Sequence, residues 1–128
     1  MLPEHYRLHR RTDFSRTVRQ GRRMGRRDLV VHVLLHDEQA NGPDPVIRVG
    51  GPRFGLIVSK AVGPAVVRHR VARRLRHICA RVVAELPADA DIVLRALPGA
   101  ADASSEELLK QLRGGLRKLG TLPVGSES

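Results

Sequence analysis

The sequence predicts an α+β sandwich of one domain, in which helices pack on a central mixed sheet in the order α-β-β-β-α-β-α. Three observations lead to this prediction. Short runs of β-forming residues alternate along the chain with segments that have the 3.6-residue periodicity of helices. The chain has 128 residues, which suits a single compact domain. No repeat or linker divides it, so we expect one domain over residues 1–120 and a loose tail over residues 121–128.

The first element is predicted to be a short helix over residues 13–20. Thr12 is a suitable N-terminal cap, and Gly21 is a suitable end. Phe14 and Val18 are four residues apart, so they share one face of this helix. A cluster of arginines then leads towards the first strand.

Three strands are predicted before the middle of the chain. Residues 29–35 give the clearest one, because nearly all of them favour extended structure. Residues 36–51 contain Gly-Pro turn signals and are predicted to form a loop with a short strand at 46–49. The third strand is predicted over residues 54–59, where apolar side chains alternate.

The second half is predicted to contain a long helix, a strand and a last helix. The long helix begins at Pro64, because proline is tolerated in a first helical turn, and it ends at about residue 86, before Pro87. The strand covers residues 91–96. The last helix covers residues 104–119, with a serine cap and two glutamates in its first turn.

The charge distribution indicates a polyanionic partner. The formal net charge is +10, and residues 1–86 carry 18 Lys and Arg against 7 Asp and Glu. Residues 87–128 carry 5 against 6, so the basic excess is confined to the first two thirds of the chain. Such a confined excess on a small domain is typical of nucleic-acid-binding proteins. No helix pairs a basic face with exposed large aromatic residues, which argues against a membrane surface as the partner.

Other features of the composition suggest a cytoplasmic protein. No apolar run approaches the roughly 20 residues of a membrane span, and the N-terminus is polar from Pro3 onward, unlike a secretory signal. Cys79 is the only cysteine, so the chain can form neither an internal disulfide nor a cysteine-based zinc site. We interpret Cys79 as a packing residue at the edge of the core.

The long helix separates apolar and basic side chains onto opposite faces. Its apolar sector comprises Val67, Val71, Leu75, Ile78, Val82 and Leu86. The other side carries His69, Arg70, Arg73, Arg74, Arg76, His77 and Arg81, while Arg68 lies near the apolar sector in the first turn. No Asp or Glu occurs between Lys60 and Arg81, whereas exposed helices usually mix both signs. We therefore interpret this face as phosphate-binding rather than as an ordinary solvated surface.

The segment before the long helix strengthens this interpretation. Ser59 and Lys60 lead from a predicted strand to the helix, where free backbone N–H groups and the helix dipole favour a phosphate. No glycine run precedes a lysine there, so the segment is not a Walker-type loop.

The same region resembles a known family. Residues 53–76, RFGLIVSKAVGPAVVRHRVARRLR, are similar to the central motif of the bacterial ribonuclease P protein family. Arg7-Leu8, Asp13-Phe14, Gly21 and residues 29–31 fit the N-terminal part of the family pattern, and the resemblance covers about residues 6–117. Three positions depart from the pattern. His69 replaces an asparagine, and Ala61 and Ala72 replace common lysines.

The resemblance implies a ribosomal protein S5 domain 2-like fold with a left-handed βαβ crossover. It also implies a ribonucleoprotein endoribonuclease that matures the 5′ end of tRNA, in which a separate RNA subunit carries the chemistry with Mg²⁺. The protein would contact ribonuclease P RNA and precursor tRNA. The residues implied to bind RNA are Ser59, Lys60, Arg68, His69, Arg70, Arg73, Arg74, Arg76, His77 and Arg81.

The resemblance further implies a cleft that binds the single-stranded 5′ leader of precursor tRNA. Phe14 matches an aromatic position of that cleft, while Val18 and His32 replace aromatic residues. Phe14 is equally suited to a place in the core. We expect these three residues to line the leader-binding cleft.

The sequence offers no catalytic residue and no protein-borne metal site. A protein nuclease needs clustered carboxylates or a histidine pair for acid–base work, and the acids here are scattered. The spacing of His32 and His36 would allow two metal ligands but supplies no third. The alternative function is that of a ribosome-associated or general structured-RNA-binding protein without a processing role.

Overall fold

The computed structural model describes residues 2–35 and 51–121. The elements within them are α1 (Arg11–Gln20), β1 (Arg22–Gly25), β2 (Leu29–Leu35), β3 (Arg53–Ile57), α2 (Ala65–Val82), β4 (Ala90–Ala96) and α3 (Ser105–Lys118). Short 3-10 turns occur at Glu4–Tyr6, Lys60–Val62, Val83–Glu85 and Pro98–Ala101. The predicted α+β class is confirmed.

The four described strands form one mixed sheet in the order β1-β2-β4-β3. β2 pairs antiparallel with β1 on one side and with β4 on the other, and β3 pairs parallel with β4. β3, α2 and β4 therefore form a βαβ unit whose two strands are direct neighbours. The left-handed sense of this connection stays a prediction of the family resemblance.

One face of the sheet forms the hydrophobic core together with α2 and α3. Val31 of β2 lies opposite Leu94 of β4, and Phe54 of β3 lies opposite Ile92, so these side chains share one face. All four are at most 2% exposed. The helices add the fully buried residues Val71, Leu75, Ile78, Val82, Leu108, Leu112 and Leu116. The predicted apolar sector of the long helix is thus in the core, and Val67, in the first turn of α2, is half-buried.

The other face of the sheet is partly covered by α1. This helix begins at Arg11, earlier than predicted, and Thr12 lies inside it instead of capping it. The carbonyl of Arg10 starts the helix by accepting hydrogen bonds from the backbone N–H groups of Asp13 and Phe14. The predicted cap at Thr12 is therefore wrong, because the helix begins one residue before Thr12 and no side chain caps it. Gly21 ends the helix as predicted.

The ends of the other helices follow local chemistry. α2 ends at Val82, short of residue 86, and its last turn tightens into the 3-10 turn before Pro87. The predicted cap of α3 is confirmed. Ser104 Oγ accepts a hydrogen bond from the Glu107 N–H at 3.1 Å, and Glu107 Oε1 accepts one from the Ser104 N–H at 3.0 Å.

Two differences concern strands and tail. β1 was not predicted, because four residues rich in arginine do not look like a strand, although charge suits an exposed sheet edge. The predicted short strand at 46–49 lies outside the described residues. Most of the predicted tail also lies outside them, but its first residue, Thr121, is buried and its N–H donates to the Leu116 carbonyl.

Candidate nucleic-acid interface

The basic side chains of α2 lie mostly on the side that faces away from the core. Four of them are exposed and two are half-buried: His69, Arg70, Arg73 and His77, and then Arg68 and Arg76. Within residues 2–35 and 51–121, none of these six forms an ion pair with a carboxylate. The described structure therefore leaves a row of basic side chains without carboxylate partners.

Two further arginines of α2 have partners on the neighbouring segment. Arg74 is half-buried, and its Nη1 donates a hydrogen bond to the Ala103 carbonyl at 3.0 Å. Arg81 Nη1 lies 2.9 Å from Glu106 Oε1 in an exposed ion pair. The expectation that the whole basic face lacks an acidic neighbour is thus wrong for Arg81, because α3 packs beside α2 and brings its first turn within reach. Both contacts fasten α2 to the start of α3.

The chain enters α2 through an exposed turn. Ser59 and Lys60 are exposed, as a phosphate-binding role requires. Gly63 has a φ of +154°, which favours glycine, and a Cβ at this position would lie 3.0 Å from the Val67 side chain. No side chain caps the first turn of α2, so its leading N–H groups remain available to an anion.

The sheet face beside α1, where the family resemblance predicts a leader-binding cleft, is the second part of the candidate interface. The Phe14 ring lies directly on β3, where a Cβ at Gly55 would be 2.5 Å from Phe14 Cε1. Arg53 makes a two-pronged contact to Asp91, with Nε and Nη2 at 3.0 and 2.9 Å from its oxygens, and Arg53 Nη1 lies 3.5 Å from Asp13 Oδ2. This network fixes α1 over one end of the sheet. Phe14 and Val18 are both half-buried.

His32 lies on the same sheet face as Gly55 but below the surface. It pairs with Val93, which pairs in turn with Gly55, so the side chains of the three residues project from one face. His32 is 3% exposed, and neither ring nitrogen has a hydrogen-bond partner in the described part of the chain. Burial lowers the pKa of His32 below its ordinary value, and the positive charges of Arg95 and Arg23 lower it further. The sequence predicts that His32 lines the leader-binding cleft, but it does not predict that the side chain is almost completely buried.

The next row of the sheet beyond His32 remains open. Ile57 pairs with Arg95, and Arg95 pairs with Val30. Arg95 is exposed, whereas Ile57 and Val30 are half-buried. This strip of half-buried apolar side chains, with the exposed Arg23 and Arg95 beside it, continues the sheet face that carries His32. The sequence analysis does not single out Arg95, although an arginine directly after the apolar run Ile92–Leu94 of a central strand is a usable signal of an open face.

The described residues contain little that suggests protein-borne chemistry. Across residues 2–35 and 51–121, no group of three or more His, Cys, Asp or Glu side chains could hold a metal ion. Cys79 is fully buried, and burial raises the pKa of its thiol, so it packs in the core and is not a nucleophile. Among the described helices, none has both the length and the apolar character of a membrane span.

A mixed four-stranded sheet and a helix with six basic side chains that lack carboxylate partners in the described structure are typical of small basic RNA-binding proteins. The model of the Ribonuclease P family matches residues 2–120. The chain is 68% identical to the ribonuclease P protein component of Nocardia farcinica, over all of this chain and 89% of the relative. It is 65% identical to that of Rhodococcus erythropolis, over 99% of this chain and 98% of the relative.

Solved structures show the same fold. The Staphylococcus aureus RNase P protein at 2.0 Å superimposes with a TM-score of 0.74 at 24% identity, over 92% of this chain and 98% of that one. The RNase P protein of Thermotoga maritima gives a TM-score of 0.65 at 22% identity, over 84% and 92%. At such identities the likeness concerns the fold alone.

The chain belongs to the ribonuclease P protein family. It is a subunit of the ribonucleoprotein enzyme that processes the 5′ end of tRNA. The family and the enzyme inferred from residues 53–76 are thereby confirmed, together with RNA binding as the general role.

Proposed function

We propose that this subunit binds ribonuclease P RNA along the basic face of α2 and holds the 5′ leader of precursor tRNA beside α1. The observation that carries the proposal is the set of six basic α2 side chains that have no carboxylate partner in the described structure. Like charges along one helix face repel each other unless an anion lies against them. The sugar-phosphate backbone of a structured RNA supplies such an anion over the whole length of the helix.

The proposed RNA contacts divide into two groups. The first group binds phosphate and comprises Ser59, Lys60, Arg68, His69, Arg70, Arg73, Arg76 and His77. The second group comprises Arg74 and Arg81, which add positive charge but also fasten α2 to α3. Losing a member of the second group is therefore expected to affect folding as well as RNA binding.

The leader is proposed to lie in the open cleft on the α1 side of the sheet. Phe14 and Val18 offer half-buried apolar side chains to unstacked bases, and exposed Arg23 and Arg95 offer charge to phosphates. His32 supports the floor between them, because it is 3% exposed. A single strand suits this cleft, since its bases are free to contact apolar side chains.

The protein is proposed to contribute positioning, while the RNA contributes the reaction. The side chains of residues 2–35 and 51–121 do not form a donor set for a metal, and we assign Mg²⁺ and the cleavage reaction to the RNA subunit. Holding the leader and the catalytic RNA in one orientation lowers the activation free energy of cleavage, because less translational and rotational entropy is then lost at the transition state. We place this activity in the cytoplasm, where precursor tRNA is made.

Reconstitution tests the proposal. Ribonuclease P RNA from the same organism is mixed with precursor tRNA at a low Mg²⁺ concentration, with and without the protein. We expect 5′ maturation to become fast only when protein and RNA are both present, and we expect RNA-free protein to cut nothing at any Mg²⁺ concentration. Cleavage by RNA-free protein would overturn the assignment of roles. No stimulation, together with tight binding to ribosomal RNA, would favour a ribosome-associated function.

A further inference from the structure

An open groove of about 280 Å³ lies between the first turns of α2 and the end of β3. Its apolar lining consists of Leu56, Val58, Ala65 and Ala72, and its polar lining consists of Arg68, His69 and Arg76. Leu56 and Val58 are half-buried and pack against the core on their inner side. No carboxylate lines the groove. It is therefore an apolar depression with a cationic rim.

The groove exists because two of the α2 residues that line it, Ala65 and Ala72, are small. Ala65, Ala72 and Arg76 follow each other at helical spacing, so they lie along one stripe of α2. A methyl side chain at positions 65 and 72 leaves the space above Leu56 unfilled. The polar residues of the same stripe, Arg68 and His69, border that space.

The lining matches an unpaired nucleobase better than it matches a phosphate alone. A phosphate would need the cations but not four apolar side chains beneath it. A base has an apolar face for the floor, and its two flanking phosphates carry the charge that the rim complements. Guanidinium and imidazole groups also stack on bases. The buried Nε of Arg68 has no hydrogen-bond partner among the described residues, so a base oxygen or nitrogen could satisfy it once the guanidinium turns towards the groove.

We propose that this groove binds one unpaired base of ribonuclease P RNA, an inference that rests on the proposed binding of that RNA by α2. The groove is continuous with the basic face, because Arg73 lies one helical turn from both His69 and Arg76. The backbone on either side of the inserted base would thus run onto Arg73 and Arg70. The base fixes the register of the RNA on the helix, whereas the phosphates supply most of the attraction.

The test fills the groove without changing the charge. Ala72→Leu adds apolar volume and keeps a good helix-forming residue. Ala65→Leu does the same at an exposed position, where core packing is not disturbed. We expect each variant to bind ribonuclease P RNA about tenfold more weakly, the order expected for one lost base contact. The slope of log K against log salt should stay unchanged, because no phosphate contact is removed. Ala84→Leu, at an exposed position beyond α2, is the matched control and should bind normally.

Chemical probing of the RNA gives a second measurement. We expect one unpaired base to be protected by the wild-type protein and by Ala84→Leu but to react when Ala72→Leu or Ala65→Leu is bound. Wild-type affinity and protection with both groove variants would overturn the base-binding inference. A changed salt slope would also overturn it. If replacing Arg70 and Arg73 by glutamine weakens binding in the same experiment, the proposed function stands without the groove; if that variant also binds normally, the proposed function itself fails.

Discussion

His32 couples the stability of the sheet to pH. A neutral imidazole is tolerated below the surface, but a protonated one would be buried near Arg95 and Arg23. Its folded-state pKa is therefore below the ordinary value of 6.5, first because of burial and then because of these two charges. The unfolded chain binds the proton more readily than the folded chain does. The contribution that neutral His32 makes to the free energy of unfolding is thus fully present above pH 6.5. It is lost as the pH falls from 6.5 towards the lowered pKa of His32 in the folded state.

We predict that His32→Phe removes this pH dependence. Phenylalanine has a similar planar shape and does not titrate, so the folded state no longer resists protonation at position 32. Urea unfolding of the wild type and the variant at pH values above and below 6.5 measures the difference. The free energy of unfolding should fall more steeply for the wild type as the pH is lowered. Parallel curves would show that His32 is not held neutral by the fold.

Gly55 is required by the close approach of Phe14 to the sheet. We predict that Gly55→Ala lowers the free energy of unfolding by about 1–3 kcal/mol, because its methyl group would collide with the Phe14 ring. Gly25→Ala is the matched control, since nothing lies within 4 Å of a Cβ at that position. Its effect should stay within about 0.5 kcal/mol.

A second-site change tests the cause. Phe14→Leu in the Gly55→Ala background should restore part of the lost stability, because the smaller side chain removes the collision. An equal loss in Gly55→Ala and Gly25→Ala, measured by urea unfolding, would show that the contact with Phe14 does not matter.

At the residue scale, the sequence correctly predicts features that depend only on neighbouring residues in the chain. The Ser104 cap and the exposure of Arg70 and Arg73 follow from local pattern, and the structure confirms them. The burial of His32 could not be predicted, because it depends on how α1 lies over the sheet. The Arg81–Glu106 pair joins two helices that are distant in sequence, so periodicity within α2 could not reveal it.

At the scale of elements, α2 packs in the core with one face and carries the proposed RNA-binding surface on the other. We predict that replacing Arg70 and Arg73 by glutamine reduces affinity for ribonuclease P RNA and lowers the magnitude of the salt slope by about one to two units, if both residues contact phosphate. The fold should not be weakened, because both side chains are exposed and have no carboxylate partner in the described structure. Binding titrations at several salt concentrations measure the slope.

The matched control for that variant removes the same charge from α3. Lys110 and Lys118 are exposed there and belong to neither proposed surface. Their replacement by glutamine should leave both affinity and slope close to the wild type. Equal losses in the two double variants would mean that net charge, and not the α2 face, determines RNA binding.

Elements with a clear helical or strand-like pattern of apolar residues are the ones that the sequence predicts best. β2 has the predicted bounds, and β3, β4, α2 and α3 differ only near their ends. β1 was missed because its residues carry charge, and only its pairing with β2 makes it a strand. Strand order is a property of tertiary packing, so the parallel pairing of β3 with β4 could not be read from the pattern of either strand.

At the scale of the whole molecule, carboxylates and arginines are unevenly matched. Most ion pairs among the described residues join different elements: Asp13 and Asp91 with Arg53, Glu107 with Arg27, Glu85 with Arg113, and Glu106 with Arg81. Asp28 pairs with its neighbour Arg27. The six basic residues of α2 that have no carboxylate partner in the described structure repel each other, and this repulsion destabilises the folded state. We therefore expect the net charge of +10 to lower the stability of the free protein.

This imbalance predicts that moderate salt stabilises the free protein. Raising sodium chloride from about 0.01 M to about 0.15 M shortens the Debye length from about 30 Å to about 8 Å, which screens the repulsion between separated surface arginines. Close ion pairs such as Arg53–Asp91 lose less, because Asp91 is 1% exposed. We expect the thermal unfolding midpoint to rise over this range. The variant with glutamine at positions 70 and 73 should start from a higher midpoint at low salt and gain less from added salt. A midpoint that falls with salt would mean that ion pairs outweigh the repulsion, and that the basic face costs the fold nothing.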